Sequence, residues 1–193
     1  MNVYRRLRNP GPGDPTGWQF VGTTCNPESL PGAPISPPAP TFAQIQNAFR
    51  NLPFAKPAVH IQPEGNKTLV NLPTFYEARW PAAGLSAGED SDPITLLGWT
   101  IEFRIEAYSY TYRYGDGTSS PATKDLGGTY PDGSIRHTYT RAGTVPVKVD
   151  ARLTGQVRIN GQTWEPVNTV VDLAGEPITQ LRVATATNRL VTQ

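Results

Sequence analysis

Trp99-Thr-Ile-Glu-Phe-Arg-Ile-Glu-Ala-Tyr-Ser-Tyr-Thr-Tyr-Arg-Tyr-Gly-Asp-Gly-Thr118 is the stretch on which the fold turns. From Trp99 to Ala107 the apolar residues sit on odd positions: Trp99, Ile101, Phe103, Ile105 and Ala107. Glu102, Arg104 and Glu106 occupy the even ones. Period-two alternation of this kind marks a β-strand with one buried and one wet face. From Tyr108 to Tyr114 the aromatic residues move to the even positions. A continuous strand cannot exchange its faces without a bulge. The pattern therefore predicts two strands parted by a turn near Glu106 to Ser109, as where a chain passes between the sheets of a sandwich.

Working outward, Val145, Val147, Val149, Ala151 and Leu153 alternate with Pro146, Lys148, Asp150 and Arg152, which predicts a second half-wet strand. Asn160-Gly161 between Val157-Arg-Ile and Thr163-Trp-Glu predicts a hairpin, because a type I′ turn needs positive φ at both central residues. Val59 and Ile61, Leu69 to Trp80 with a break at Pro73, Thr169 to Leu173 and Ile178 to Ala184 supply further short strands. The last residues are read as another strand or a tail. Many short strands without a βαβ rhythm predict an all-β antiparallel sandwich of immunoglobulin-like type.

Upstream, residues 1–40 hold nine prolines, including Pro10-Gly-Pro-Gly-Asp-Pro and Pro34-Ile-Ser-Pro-Pro-Ala-Pro. Such a stretch reads as an extended arm, with one short strand near Trp18, Phe20 and Val21. Residues 41–57 carry the one helical signal and a linker. Thr41 and Gln44 form a capping-box pattern, Pro53 closes the segment, and Phe42, Ile45, Ala48, Phe49 and Leu52 make a single apolar stripe. Three turns are marginal alone in water, so the stripe must be covered either by this domain or by a partner. Residues 58–193 then form the β domain.

Composition narrows the function classes. Seventeen Lys and Arg against sixteen Asp and Glu leave a net charge of +1, which removes the electrostatic basis for a nucleic-acid partner. No run approaches the ~20 apolar residues of a membrane helix, and the basic opening Met1-Asn-Val-Tyr-Arg-Arg-Leu-Arg lacks the apolar stretch of a signal peptide. Cys25 is the only cysteine, so no intrachain disulfide is expected.

Tyr112-Arg-Tyr-Gly-Asp-Gly-Thr, followed by His137-Thr-Tyr-Thr-Arg-Ala-Gly-Thr-Val-Pro-Val-Lys-Val, resembles the two-part signature of PKD domains across residues 94–154. The wider chain is similar to uncharacterised exported actinobacterial proteins that carry one such domain. The resemblance implies an immunoglobulin-like sandwich and export, the signal sequence lying outside this chain. Those proteins tend to carry cysteines around the loop after Gly-Asp-Gly. This chain has none there, so other contacts must hold its loop.

The signature residues have structural work of their own. Gly115 and Gly117 can take backbone angles closed to other residues, and Asp116 can bond nearby amides. Tyr139 can bury its ring while its hydroxyl ties a sandwich corner. His137 and Gly143 complete the set. The histidines His60 and His137 have neither a nucleophile nor a metal ligand at working spacing, so the expectation is no enzyme, no metal and no cofactor. Glu89, Asp90 and Asp92 offer oxygen atoms in an acidic loop without a calcium-loop pattern. The tyrosine row Tyr108, Tyr110, Tyr112 and Tyr114 either fills the core or forms an open aromatic face suited to sugar or protein. The expected function is a secreted or cell-surface module that binds or scaffolds proteins without catalysis. The alternatives are a carbohydrate-binding accessory module and a subunit of a surface assembly or filament.

Overall fold

The computed structural model describes residues 2–6, 8, 11–13, 17–23, 25 and 38–186. The chain forms two compact units, Met1–Ala39 and Pro40–Gln193. In the first, β1 (Asn2–Arg5) pairs antiparallel with β2 (Gln19–Thr23). Tyr4 stands opposite Phe20, with ring centroids 5.6 Å apart and edge to face. β2 lies close to the strand expected around Trp18 to Val21, whereas β1 is too short to announce itself by alternation. The rest of the proline-rich arm, 26–37, and the tail at 187–193 lie outside the described residues.

The second unit opens with α1 (Phe42–Arg50). Thr41 caps it, accepting the Gln44 amide proton while the Gln44 side chain accepts from the Thr41 N–H. Ten strands of very unequal length follow among the described residues. β3 (Ala58–Gln62), β5 (Pro73–Arg79) and β8 (Arg136–Thr138) form a three-stranded antiparallel sheet in the order β3-β5-β8. The larger sheet is built on two long strands, β7 (Trp99–Arg113) and β9 (Gly143–Ile159). β6 (Ile94–Leu96) flanks β7. On the other side of β9 lie β12 (Thr179–Ala184), β11 (Val171–Asp172) and β10 (Glu165–Pro166), and β4 (Lys67–Leu69) pairs with β12.

Two expectations are corrected here. The sheet is not purely antiparallel: β4 and β12 run parallel, because the late strand β12 takes its direction from β9 and leaves an edge that β4 meets in the same sense. And Trp99 to Arg113 is one strand, not two. Ala107 pairs with Leu153 and Ser109 with Arg152, so Tyr108 is an extra residue with no partner on β9. This bulge resets the phase. Before it, odd residues of β7 face odd residues of β9 (Phe103 and Val157); after it, even residues do (Tyr112 and Val149). A turn at the same place would forfeit the ladder from Ser109 to Arg113, whereas a bulge keeps it and adds twist. The large sheet curls into half a barrel.

One face of that sheet is consequently apolar along its whole length, and two different covers lie on it. Over one half, Val59, Ile61, Tyr76 and Ala78 of the three-stranded sheet pack on Tyr110, Tyr112, Val147 and Val149. Over the other, Ile45 and Phe49 of α1 pack on Ile101, Phe103, Ile105 and Val157. The helix stripe is therefore covered within its own unit at Ile45 and Phe49, while Phe42 at its start stays exposed. Gly155 makes this possible: a Cβ there would sit 2.3 Å from the Arg104 carbonyl oxygen and 3.0 Å from the Phe49 ring. Asn160 (φ 49°) and Gly161 (φ 71°) form the hairpin turn after β9 in the left-handed conformation that the turn type requires.

Candidate functional site

The signature residues gather at the end of β7 and the start of β9. Gly115 has φ 81°, and a Cβ on it would lie 2.5 Å from the Pro146 carbonyl oxygen; Gly117 has φ 92° with open space around it. Between them, Asp116 Oδ1 accepts from the Thr118 amide at 3.0 Å and the Thr118 hydroxyl at 2.6 Å. Asp116 Oδ2 lies 2.7 Å from His137 Nε2. Burial alone would raise the Asp116 carboxyl, but the bonds from Thr118 and His137 outweigh it and hold it below the ordinary aspartate range.

The His137 ring lies flat on Tyr114, 4.2 Å between centroids and 3° between planes, and meets Tyr139 edge-on. The Tyr139 hydroxyl donates to the Tyr114 carbonyl oxygen at 2.8 Å. Its one proton is thereby used, so at the 2.8 Å contact between the two hydroxyls Tyr76 is the donor and Tyr139 the acceptor. Burial pushes the Tyr139 phenol up to about 12 and the Tyr76 phenol further still. Both Asp116 oxygens, His137 Nε2 and the Tyr139 hydroxyl are thus bonded to other parts of the same domain. Gly143 is separate from it, opening β9 opposite Val183.

The tyrosine row divides. Tyr110, Tyr112 and Tyr114 are buried in the core, and Tyr108 alone is exposed, with the Arg152 guanidinium 5.0 Å from its ring. An open face of four tyrosines is therefore ruled out, for the bulge at Tyr108 turns the next three inward. His60 is half-buried, its Nδ1 3.5 Å from Glu77 Oε2 on the neighbouring strand without hydrogen-bond geometry. In the acidic loop, Glu89 accepts from the Ser86 amide at 2.7 Å. Asp90 takes two bonds from Arg104, at 2.8 and 3.0 Å. Both carboxyls are lowered by those bonds. Among the described residues no three His, Cys, Asp or Glu side chains stand together as a metal site. No helix among them is long and apolar enough to cross a membrane. The Cys25 thiol is exposed.

The polar outer face of the large sheet is likewise self-satisfied. Arg158 bonds Glu102 through both branches at 2.8 Å, and the Trp164 ring lies between Arg104 and Arg158, 4.4 and 4.7 Å from their guanidinium carbons.

A different situation obtains on the outer face of the three-stranded sheet. Gln62, Phe75 and Arg136 are register partners across β3, β5 and β8, so they share one face. Tyr76, next in sequence, points the other way into the core. The 126–133 loop folds over this face. The Ala78 amide bonds the Leu126 carbonyl oxygen at 2.8 Å, and the Gly128 amide the Tyr76 carbonyl oxygen at 3.0 Å. Gly127 is required for that approach, with φ 77° and a would-be Cβ 2.0 Å from the Tyr76 carbonyl oxygen. At Gly133 a Cβ would meet the Gly128 carbonyl oxygen at 2.3 Å and Phe75 at 3.0 Å.

The loop sets Tyr130 edge-to-face on Phe75, with centroids 5.6 Å apart, and the Tyr130 amide donates to Gln62 Oε1 at 2.8 Å. What results is an open groove of about 820 Å³, floored by Leu72, Pro73 and Phe75 and rimmed by Pro63, Tyr130 and Pro131. Glu64 and Arg136 also line it. Among the described residues neither charged group has a partner, nor does the Tyr130 hydroxyl. Sequence reasoning did not reach this groove. Pro63-Glu-Gly and Tyr130-Pro-Asp-Gly are readable as turns, but their convergence on Phe75 is a property of the sheet.

No model of a known protein family matches the chain, and no curated protein matches it.

Proposed function

We propose that this chain is a non-catalytic binding module of secreted or cell-surface type. On this reading it is built on an immunoglobulin-like sandwich of PKD type and engages a protein partner through the groove beneath Tyr130. The observation that carries the reading is a contrast in saturation. The Asp116 carboxylate, His137 Nε2 and the Tyr139 hydroxyl are spent on bonds within the domain, whereas the Glu64 carboxylate, the Tyr130 hydroxyl and the Arg136 guanidinium stand free beside an apolar floor. Pockets of about 300–1,000 Å³ with mostly apolar walls and a few free polar groups are the usual form of a ligand site. The sandwich of immunoglobulin type is supported by two sheets that share a core and by the Tyr139 hydroxyl bonded to upstream backbone, as in a tyrosine corner. Location outside the cell rests on the PKD resemblance.

Two other readings keep an observation each. The exposed ring of Tyr130 is a surface on which a sugar could stack, which favours a carbohydrate-binding module. The exposed rings of Tyr4, Trp18 and Phe20 on the first hairpin favour a subunit of a surface assembly. The test is a titration of isotope-labelled full-length protein with peptide and oligosaccharide panels, followed by amide NMR. The reading predicts that ligands shift the signals of Gln62, Phe75, Tyr130 and Arg136 first. Shifts confined to the first hairpin or to the Tyr108 face would sink it.

A further inference from the structure

Resting on the reading of the groove as a binding site, we propose that its ligand is an extended proline-rich peptide in the polyproline II conformation. The first argument is shape and surface. The groove is lined by the rings of Pro63, Pro73 and Pro131 and by two aromatic rings, Phe75 and Tyr130, held edge to face. Notches between aromatic rings take proline side chains, because a rigid ring fills them at little cost in conformational entropy.

The second argument is the spacing of donors. A polyproline II helix has no internal hydrogen bonds, so its carbonyl oxygens are all available. With three residues per turn and about 3.1 Å rise, carbonyls i and i+3 point the same way, roughly 9.3 Å apart. Gln62 and Arg136 flank Phe75 on the two neighbouring strands. Two strand spacings place their Cα atoms about 9.6 Å apart. Gln62 uses its carbonyl oxygen on the Tyr130 amide, leaving its NH₂ group to donate, and the Arg136 guanidinium is unpartnered among the described residues. A peptide laid across the strands beside Tyr130 thus runs between two side chains able to donate to its carbonyl oxygens. An α-helix, whose carbonyls are consumed internally, offers them none.

The third argument is charge. Glu64 follows β3 and Arg136 opens β8, so an unpaired carboxylate stands on the Gln62 side and an unpaired guanidinium on the other. The peptide that fits best carries a basic residue on the Gln62 side.

The experiment uses full-length protein and two acetylated, amidated synthetic peptides, Lys-Pro-Pro-Ala-Pro-Pro-Ala-Pro and the same peptide with every proline replaced by alanine, beside a chito-oligosaccharide. Binding is measured by calorimetry and by amide NMR. The expected result is saturable binding of the proline peptide alone, with shifts at Gln62, Phe75 and Arg136, a loss of tenfold or more in Arg136→Ala and in Tyr130→Ala, and a smaller loss in Glu64→Gln. Glu64, Tyr130 and Arg136 are all exposed, so the variants should keep the fold. Equal binding of the alanine peptide, or of the oligosaccharide alone at these residues, overturns the peptide proposal and leaves the groove as a site. Shifts from none of the three probes in the groove overturn both.

Discussion

The Tyr139 hydroxyl donates to the Tyr114 carbonyl oxygen at 2.8 Å and accepts from the Tyr76 hydroxyl at the same distance. One buried oxygen therefore ties the end of β7, the segment after β8 and the middle of β5. Tyr139→Phe removes that oxygen and leaves a buried carbonyl and a buried hydroxyl unpaired, at a cost of about 1–3 kcal/mol for each group left so. Tyr76→Phe removes a donor and leaves the Tyr139–Tyr114 bond intact. Urea denaturation of the two single variants and the double variant should show the larger loss in Tyr139→Phe. It should also show strong non-additivity. Equal and additive losses would mean the chain of bonds is not formed.

The same pair sets an alkaline limit. An unfolded tyrosine ionises near 10, whereas in the fold Tyr139 holds its proton to about 12 and Tyr76 beyond that. Between about pH 10 and 12 the unfolded chain binds fewer protons than the native one, so stability falls as pH rises. The denaturation midpoint should drop steeply over that range. In the Tyr76→Phe, Tyr139→Phe double variant the slope should be visibly shallower.

At the acid end the sign reverses. Asp116 is held below the ordinary aspartate range by Thr118 and His137 in spite of its burial, so its contribution is present above the unfolded value near 4. It is lost as pH falls through the lower folded value. Asp116→Asn should be less stable than the parent at pH 6, and the gap should narrow on acidification toward pH 2. A gap that stays constant would show that the carboxylate charge plays no part.

Tyr108 is dispensable as a side chain and, by the register of β7 on β9, as a residue. Its ring is exposed and its main contact is Arg152 at 5.0 Å, a pairing worth about 0.5–1 kcal/mol. Tyr108→Ser should therefore cost no more than about that. Deleting residue 108 leaves Ala107 opposite Leu153 and Ser109 opposite Arg152 as consecutive pairs, so the strict alternation that results keeps Tyr110, Tyr112 and Tyr114 in the core. The deletion variant should keep a cooperative thermal transition. Loss of that transition would contradict the register.

Gly127→Ala places a methyl 2.0 Å from the Tyr76 carbonyl oxygen in a left-handed conformation. Backbone strain of this kind costs on the order of 1–3 kcal/mol, and it is relieved here by lifting the loop from β5. The variant should lose stability by about that amount. It should also lose the Tyr130–Phe75 contact, visible as sharpening and movement of the Tyr130 ring signals towards random-coil values. Alanine at Gly117, where φ is also positive but nothing stands within 4 Å, should leave those signals unchanged.

Much of this fold is written locally. Thr41 with Gln44 and the stripe through Ile45 and Phe49 specify α1. The odd positions from Val145 to Leu153 mark the first part of β9 and Asn160-Gly161 its turn, whereas the continuation of β9 through Gly155 to Ile159 as one strand comes from its pairing with β7. These signals are legible because each depends on residues within one turn or one strand of each other. The phase change at Tyr108 was legible as well. Its meaning was not, since a turn and a bulge leave the same trace in a sequence, and the choice is made by the pairing partner β9.

The groove belongs to the tertiary structure alone. Gln62, Phe75, Tyr130 and Arg136 come from three strands and a loop, and each taken singly is an ordinary surface or turn residue. The sequence by itself determined an all-β domain with one capped helix and an internally bonded Gly-Asp-Gly corner, because backbone period, capping and turn chemistry act over a few residues. Only the tertiary structure decided which tyrosines are buried, that β4 and β12 run parallel, and where unpaired polar groups meet an apolar floor. Those outcomes depend on strand register and loop placement, and register is set by contacts between residues far apart in the chain.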